Sequence, residues 1–223
     1  MLNQKTWNAV DNYFSDVLIP IDTVLDNTLQ NSNAAGLPQH NVAPNQGKLL
    51  QLLVQMQGAR RILEIGTLGG YSTIWLARAI PSDGCVVTLE ADPKHAEVAV
   101  RNIARANLTN IVDVRVGKAI DTLAKLYKED SPPYDFIFID ADKPSNPDYL
   151  KWSLKLSRPG TVIIADNVVR NGEVANSNSL DPKVQGVRKF CELISSEPRL
   201  SSTAIQTVGS KGYDGFAMAI VVR

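Results

Sequence analysis

Cysteine is scarce in this chain, net charge is absent, and no long apolar run occurs. Two cysteines in 223 residues, Cys85 and Cys191, cannot build a disulfide framework. They read as buried thiols of a reducing compartment. Lys plus Arg number 23 and Asp plus Glu number 23, a formal net charge of zero. That balance removes the basic surface on which nucleic-acid affinity mainly rests. No stretch approaches the roughly 18 to 20 apolar residues of a membrane helix; the longest runs are short, as over 216–222. The first 13 residues are polar, without the basic flank and apolar run of a secretory signal. There is no internal repeat and no block of like charge. What is present is ordinary globular material, 44% apolar and 21% charged, enough for a sizeable core. The expectation is one cytoplasmic domain with neither nucleic acid nor membrane as partner.

The chain divides by texture. Spaced apolar residues predict helices over 3–19 and 22–30, separated by Pro20. Residues 31–47, rich in Asn, Gln, Pro and Gly, read as a loop, and a leucine-rich helix follows over 47–57. From 61 onward, short β-rich runs alternate with helical ones. Strands are expected at 61–65, 86–90, 112–116, 136–140 and 161–166, with helices at 71–80, 93–106, 119–127, 148–156 and 183–195. Such alternation means βαβ crossovers and a parallel sheet covered on both faces. Runs such as Phe136-Ile137-Phe138-Ile139 fit strands buried on both sides. The end differs: 200–208 and 216–222, joined by Gly209-Ser210-Lys211-Gly212-Tyr213-Asp214-Gly215, read as an antiparallel hairpin. The fold class is α/β, a doubly wound, mostly parallel seven-stranded sheet closed by that hairpin, with extra N-terminal helices.

Open parallel sheets bind ligands beyond the carboxyl ends of their strands. The first βα turn here is Glu64-Ile65-Gly66-Thr67-Leu68-Gly69-Gly70-Tyr71-Ser72. A dinucleotide fingerprint needs glycine where Leu68 stands, because a pyrophosphate approaches the backbone there. Glu64 also opposes a pyrophosphate, whereas it would attract an ammonium group. Glu90 ends the second strand 24 residues after Gly66, about where an acid accepts hydrogen bonds from a ribose. A ligand with a ribose, an ammonium and no phosphate fits both acids, and S-adenosylmethionine is one. Either feature by itself also fits a plain tight turn and a solvated strand end.

Asp140 closes the fourth predicted strand and Asp166-Asn167 the fifth. If those strands are neighbours, about 4.8 Å apart, their side chains converge at one mouth. Two carboxylates and an amide suit magnesium, manganese or calcium and not zinc. Lys143 follows Asp140 by three residues. A lysine held beside a divalent cation, partly out of water, gives up its proton more easily and can act as a general base. The plain alternative is a capping aspartate and a surface lysine.

Three ordered segments carry a family resemblance: 64–72, Asp140-Ala141-Asp142-Lys143 and Ala165-Asp166-Asn167-Val168, supported by Val42 and Pro44-Asn45-Gln46-Gly47. They resemble the cation-dependent small-molecule O-methyltransferases, which include the catechol and caffeoyl-CoA enzymes and many microbial relatives. The resemblance covers nearly the whole chain. It implies a Rossmann-like methyltransferase domain over 1–223, with 1–57 as N-terminal helices and lid and 58–223 as the α/β core. It implies S-adenosylmethionine as cofactor, a divalent cation, magnesium above manganese or calcium, and a homodimer. Carried over by position, Asp140, Asp166 and Asn167 look like metal ligands, and Lys143, with Asp140, looks catalytic. Glu90 looks like the ribose acid, and Val42, Glu64, Ser72 and Asp140 look like contacts to the methionine end. Gly66, Thr67, Gly70 and Tyr71 of the turn, with Ala91 and Ala119, complete the expected cofactor contacts. The substrate implied is a small aromatic with vicinal hydroxyls. Ala141-Asp142 stands where the animal catechol enzymes have an aromatic pair, which implies a different or more permissive pocket. The 209–215 turn looks longer than the family's. The long loops 31–47 and 168–182 read as lids, the second building the acceptor pocket.

Three rivals remain at this level. A metal-independent methyltransferase would make Asp140 and Asp166 structural. A nicotinamide oxidoreductase is disfavoured by Leu68 and Glu64, and a non-catalytic binding protein by the intact Asp140, Lys143, Asp166 and Asn167.

Overall fold

The computed structural model describes residues 3–129 and 131–223. Helices α1 (Gln4–Leu18), α2 (Thr23–Ala34) and α3 (Pro44–Gln57) precede the sheet. Each start has a local cause. Asn3 and Asp22 accept hydrogen bonds from first-turn N–H groups of α1 and α2, and Pro44 supplies the preset φ at the start of α3. Strand β1 (Arg61–Ile65) then leads to α4 (Tyr71–Ala77), β2 (Cys85–Glu90), α5 (Pro93–Arg105), β3 (Val112–Val116) and α6 (Ala119–Lys128). Next come β4 (Tyr134–Ile139), α7 (Asn146–Lys155), β5 (Ser157–Asp166), α8 (Pro182–Ser196), β6 (Leu200–Gly209) and β7 (Gly212–Val221). Short 3-10 turns cover Lys143–Ser145 and Arg170–Ala175.

The seven strands lie in the order β3-β2-β1-β4-β5-β7-β6. The first five are parallel, and β7 runs antiparallel to both β5 and β6. The order reverses between β1 and β4, which opens a crevice at their carboxyl ends. Period-2 alternation builds the two layers. Phe136 and Phe138 face α3, α4 and α5 with Ile62, Val86 and Ile164, while Ile137 and Ile139 face α6, α7 and α8 with Leu63, Leu89 and Ile163. Each fully buried side chain of this size contributes about 1.5–3 kcal/mol, so both faces hold the crevice rigidly.

Three expectations are corrected. The loop expected over 31–47 shrinks to 35–43, because Asn31 donates to Asn102 of α5 and Ser32 to the Thr28 carbonyl, so polar residues serve helix packing. The turn expected over 209–215 is only two residues, Ser210 and Lys211, flanked by paired Gly209 and Gly212. Both cysteines are free but half-buried, not buried; Cys85 receives a hydrogen bond from Arg61 at 3.3 Å. Among the described residues no helix is long and apolar enough to cross a membrane.

Candidate active site

The crevice is built by three loops leaving β1, β4 and β5. Gly66 ends β1 with φ +104° and donates its N–H to the Leu89 carbonyl at 3.0 Å. A Cβ there would stand 2.0 Å from the Asp140 carbonyl oxygen. The glycine is therefore demanded by the neighbouring loop as well as by the tight turn. That close approach, with the Asp140 N–H donating to Ile65 O at 2.8 Å, locks the two loops at the switch point together.

Glu64 lies on the strand face that α4 covers, directly in register with Thr88 of β2. It is fully buried. Ser72 donates to its Oε1 at 2.5 Å, and Thr73 and Thr88 donate to its Oε2 at 2.5 and 2.7 Å. Burial pushes its carboxyl up to about 7, although the three hydroxyls pull the other way. Its oxygens are thus committed to protein hydroxyls, and Ser72, half-exposed, is the member of this network nearer the solvent. Thr67 is also buried and hydrogen-bonds Thr88 at 2.6 Å.

Glu90 ends β2 and holds the glycine loop. The Leu68 N–H donates to its Oε2 at 2.7 Å and the Asp92 N–H to its Oε1 at 2.9 Å, with His95 Nδ1 3.6 Å away. A carboxylate has about four acceptor sites, so two remain for a ligand. Leu68, at φ +50°, adopts the left-handed turn that presents its N–H. The Gly117 N–H on the Glu90 carbonyl at 2.8 Å brings the start of α6, Ala119, beside this strand end. Ala91 is exposed just beyond it. Gly70 caps α4 at φ +84°. The Tyr71 ring packs edge-to-face on Trp75 in the N-terminal layer. Val42 is buried in that same layer, in the 35–43 loop.

Strands β4 and β5 are neighbours with Ile139 opposite Ala165, so Asp140 and Asp166 leave adjacent strands side by side. Asp166 is buried. Burial and then the charge of Asp140 push its carboxyl up to about 7; Lys143, the Asn167 N–H and the Gln46 side chain oppose the rise. Lys143 is also buried, its Nζ donating to Asp140 Oδ1 at 3.1 Å. Asn167 takes φ +56°, turning the chain sharply after Asp166. Among the described residues no group of three or more His, Cys, Asp or Glu that could hold a metal ion occurs; the oxygen donors brought together here are the two carboxylates, with Asn167 next along the chain. Buried Asp166 and half-buried Asp140 face one lysine, an arrangement of oxygen donors that a hard cation fits.

Several contributors escaped the sequence reading. Gln46 reaches Asp166 from the first turn of α3, and Gly47 beside it makes room for Trp75, whose Nε1 a Cβ would meet at 2.4 Å. Gly186 of α8 lets that helix press on the Lys143 backbone, since a Cβ would lie 2.3 Å from its carbonyl oxygen. Thr88 had a detectable signal, because strand register pairs β1 with β2. Gly186 had none, since it acts across the fold, and Gln46 had only its place in the 44–47 segment of the resemblance.

Comparison with known proteins agrees with this geometry. An O-methyltransferase family model matches residues 20–219. The catechol O-methyltransferase of Niastella koreensis is 52% identical over 220 residues, 99% of this chain and 100% of its own. The crystal structure of an O-methyltransferase from Bacillus cereus in complex with SAH is 65% identical, with TM-score 0.97, covering 98% of this chain and 100% of that one. The O-methyltransferase TomG of Streptomyces achromogenes, solved with SAM, is 48% identical with TM-score 0.96, covering both chains fully at 100%. With its family model, its relatives and its seven-stranded architecture in accord, the chain belongs to the S-adenosylmethionine-dependent O-methyltransferase family.

Proposed function

We propose that this enzyme transfers the S-adenosylmethionine methyl group to one hydroxyl of a small aromatic carrying vicinal hydroxyls, with a divalent cation held by Asp140, Asp166 and Asn167. The observation that carries the reading is the pair of carboxylates on adjacent strand ends, Asp166 buried and Asp140 half-buried, with Lys143 Nζ 3.1 Å from Asp140. A bound cation would supply positive charge for an ionised acceptor oxygen. Lys143 takes the hydroxyl proton at Nζ, and Asp140 orients that amine. The buried surroundings exclude water, and rigid strand ends fix the acceptor oxygen against the methyl group, the proximity contribution. A relative described as a catechol O-methyltransferase supports the vicinal-diol class. The test is labelled-methyl transfer to a panel of catechols, caffeoyl thioesters and flavonoids, with isolated monohydroxy phenols as controls. Vicinal diols are methylated and monohydroxy phenols are not; equal transfer to both contradicts the reading.

For the cofactor, Val42, Ser72, Glu90, Ala91 and Ala119 are proposed contacts along the β1–β2 side, with the loop residues Gly66, Thr67 and Gly70. Glu64 supports Ser72 from below, and Tyr71 contributes through its backbone. Glu90→Ala is expected to weaken S-adenosylmethionine binding by about 1.5–3 kcal/mol, as for a lost charge-assisted hydrogen bond. It also lowers the melting temperature, because the Leu68 N–H loses its acceptor. Calorimetry reads the first effect, and unchanged affinity removes Glu90 from the site.

A cytoplasmic homodimer completes the proposal. Helix α1 buries no side chain, and Val10, Tyr13, Phe14, Val17 and Leu18 stand 45–63% exposed along it. An apolar stripe of this kind fits a second copy of the chain. Light scattering is expected to give twice the 24.3 kDa chain mass, and Phe14→Glu to shift it toward monomer. A wild-type mass equal to one chain at all concentrations contradicts this.

A further inference from the structure

Arg170 is unusual in three respects. It lies three residues beyond Asn167 in the loop leaving β5, a length of chain spanning at most about 10 Å. Its φ is +55°, with Asn171 next to it and Asn167 three residues before it, both at +56°, a backbone region that arginine seldom occupies. Its guanidinium is not saturated by the protein. Nε is buried without a hydrogen-bond partner, and Nη1 stands 3.8 Å from Asp214 Oδ2, beyond hydrogen-bond length, with 26% of the side chain exposed.

The backbone ties this arginine to the strand beside the end of β5. Its N–H and that of Val169 both donate to Asp214 Oδ1, at 3.0 and 2.9 Å, and the Val168 N–H donates to Gly215 O at 3.0 Å. Asp214 and Gly215 directly precede Phe216, the register partner of Asp166. A buried guanidinium N–H with no acceptor is costly, and a planar carboxylate matches the guanidinium fork.

We infer that Arg170 selects the acceptor by taking the carboxylate of an aromatic acid whose vicinal hydroxyls lie at Asp140, Asp166 and Asn167. The inference rests on the vicinal-diol reading above. The experiment compares protocatechuate with its methyl ester, on the wild type, Arg170→Gln and Arg170→Lys. The wild type is expected to favour the acid by roughly 10- to 100-fold in kcat/KM, the range of a charge-assisted hydrogen bond. Arg170→Gln loses that preference through KM while its ester kinetics stay near wild type, and Arg170→Lys, a charge without the fork, recovers part of it. The calorimetric Kd of protocatechuate moves in the same ratio, and matching melting temperatures report intact variants. If both compounds are methylated and the ratio is unmoved in Arg170→Gln, this inference fails alone. If neither they nor catechol is methylated, the diol reading fails and takes this inference with it.

Discussion

Asp166→Ala is expected to lower kcat by at least about 10²- to 10³-fold, the cost of removing one charge-stabilising group from a water-excluded site, while S-adenosylmethionine binding stays near normal. The separation follows from the strand order. Asp166 ends β5 and Glu90 ends β2, with β1 and β4 between them, three strand spacings or roughly 14 Å. Asp140→Ala is expected to be worse on both counts. Asp140 faces Asp166 and Lys143 on one side, and its carbonyl lies against Gly66 of the glycine loop, the proposed cofactor side, on the other. Asp166→Asn supplies a folding control. A carboxyl that burial holds up near 7 is destabilising once ionised, so the amide keeps or raises the melting temperature while still losing catalysis. Turnover and calorimetry on the three variants check this. Full activity in Asp166→Ala would make the carboxylate structural.

Lys143→Met carries the second large effect. Methionine fills the volume of a side chain that is 6% exposed but can neither accept a proton nor donate to Asp140. General-base catalysis is worth about 10²- to 10⁴-fold, and a loss of that size in kcat is expected with little change in KM. The variant's rate should climb as pH rises, because an acceptor already ionised in solution needs no base. Wild type and variant are compared by kcat against pH. Equal rates across the range would remove Lys143 from the proton path.

What the sequence revealed and what it concealed divide along physical lines. Phe136-Ile137-Phe138-Ile139 announced a strand buried on both faces, because period-2 alternation is local. The adjacency of Asp140 and Asp166 needed only the doubly wound order, and β4 and β5 are paired. Glu64 illustrates the limit. Its position at the end of a strand was legible, but its burial depends on which sheet face α4 covers and on the register that sets Thr88 beside it. The acid expected at the methionine end lies under Ser72, whose hydroxyl donates to it. The 31–34 segment misled because Asn and Ser favour turns when isolated, whereas here they bond to α5 and to the preceding helical turn. Gly186 and Gln46 act on Lys143 and Asp166 from distant elements, and no spacing rule reaches them.

Metal dependence is the centre of the account, and turnover of a catechol acceptor in a chelator against turnover in magnesium tests it most directly. Wild-type enzyme freed of metal should lose turnover in the chelator and regain it when magnesium or manganese is added, while Asp166→Ala stays inactive in both. Wild-type activity that is equal in chelator and in magnesium would contradict the account and leave Asp140, Asp166 and Asn167 as structural residues.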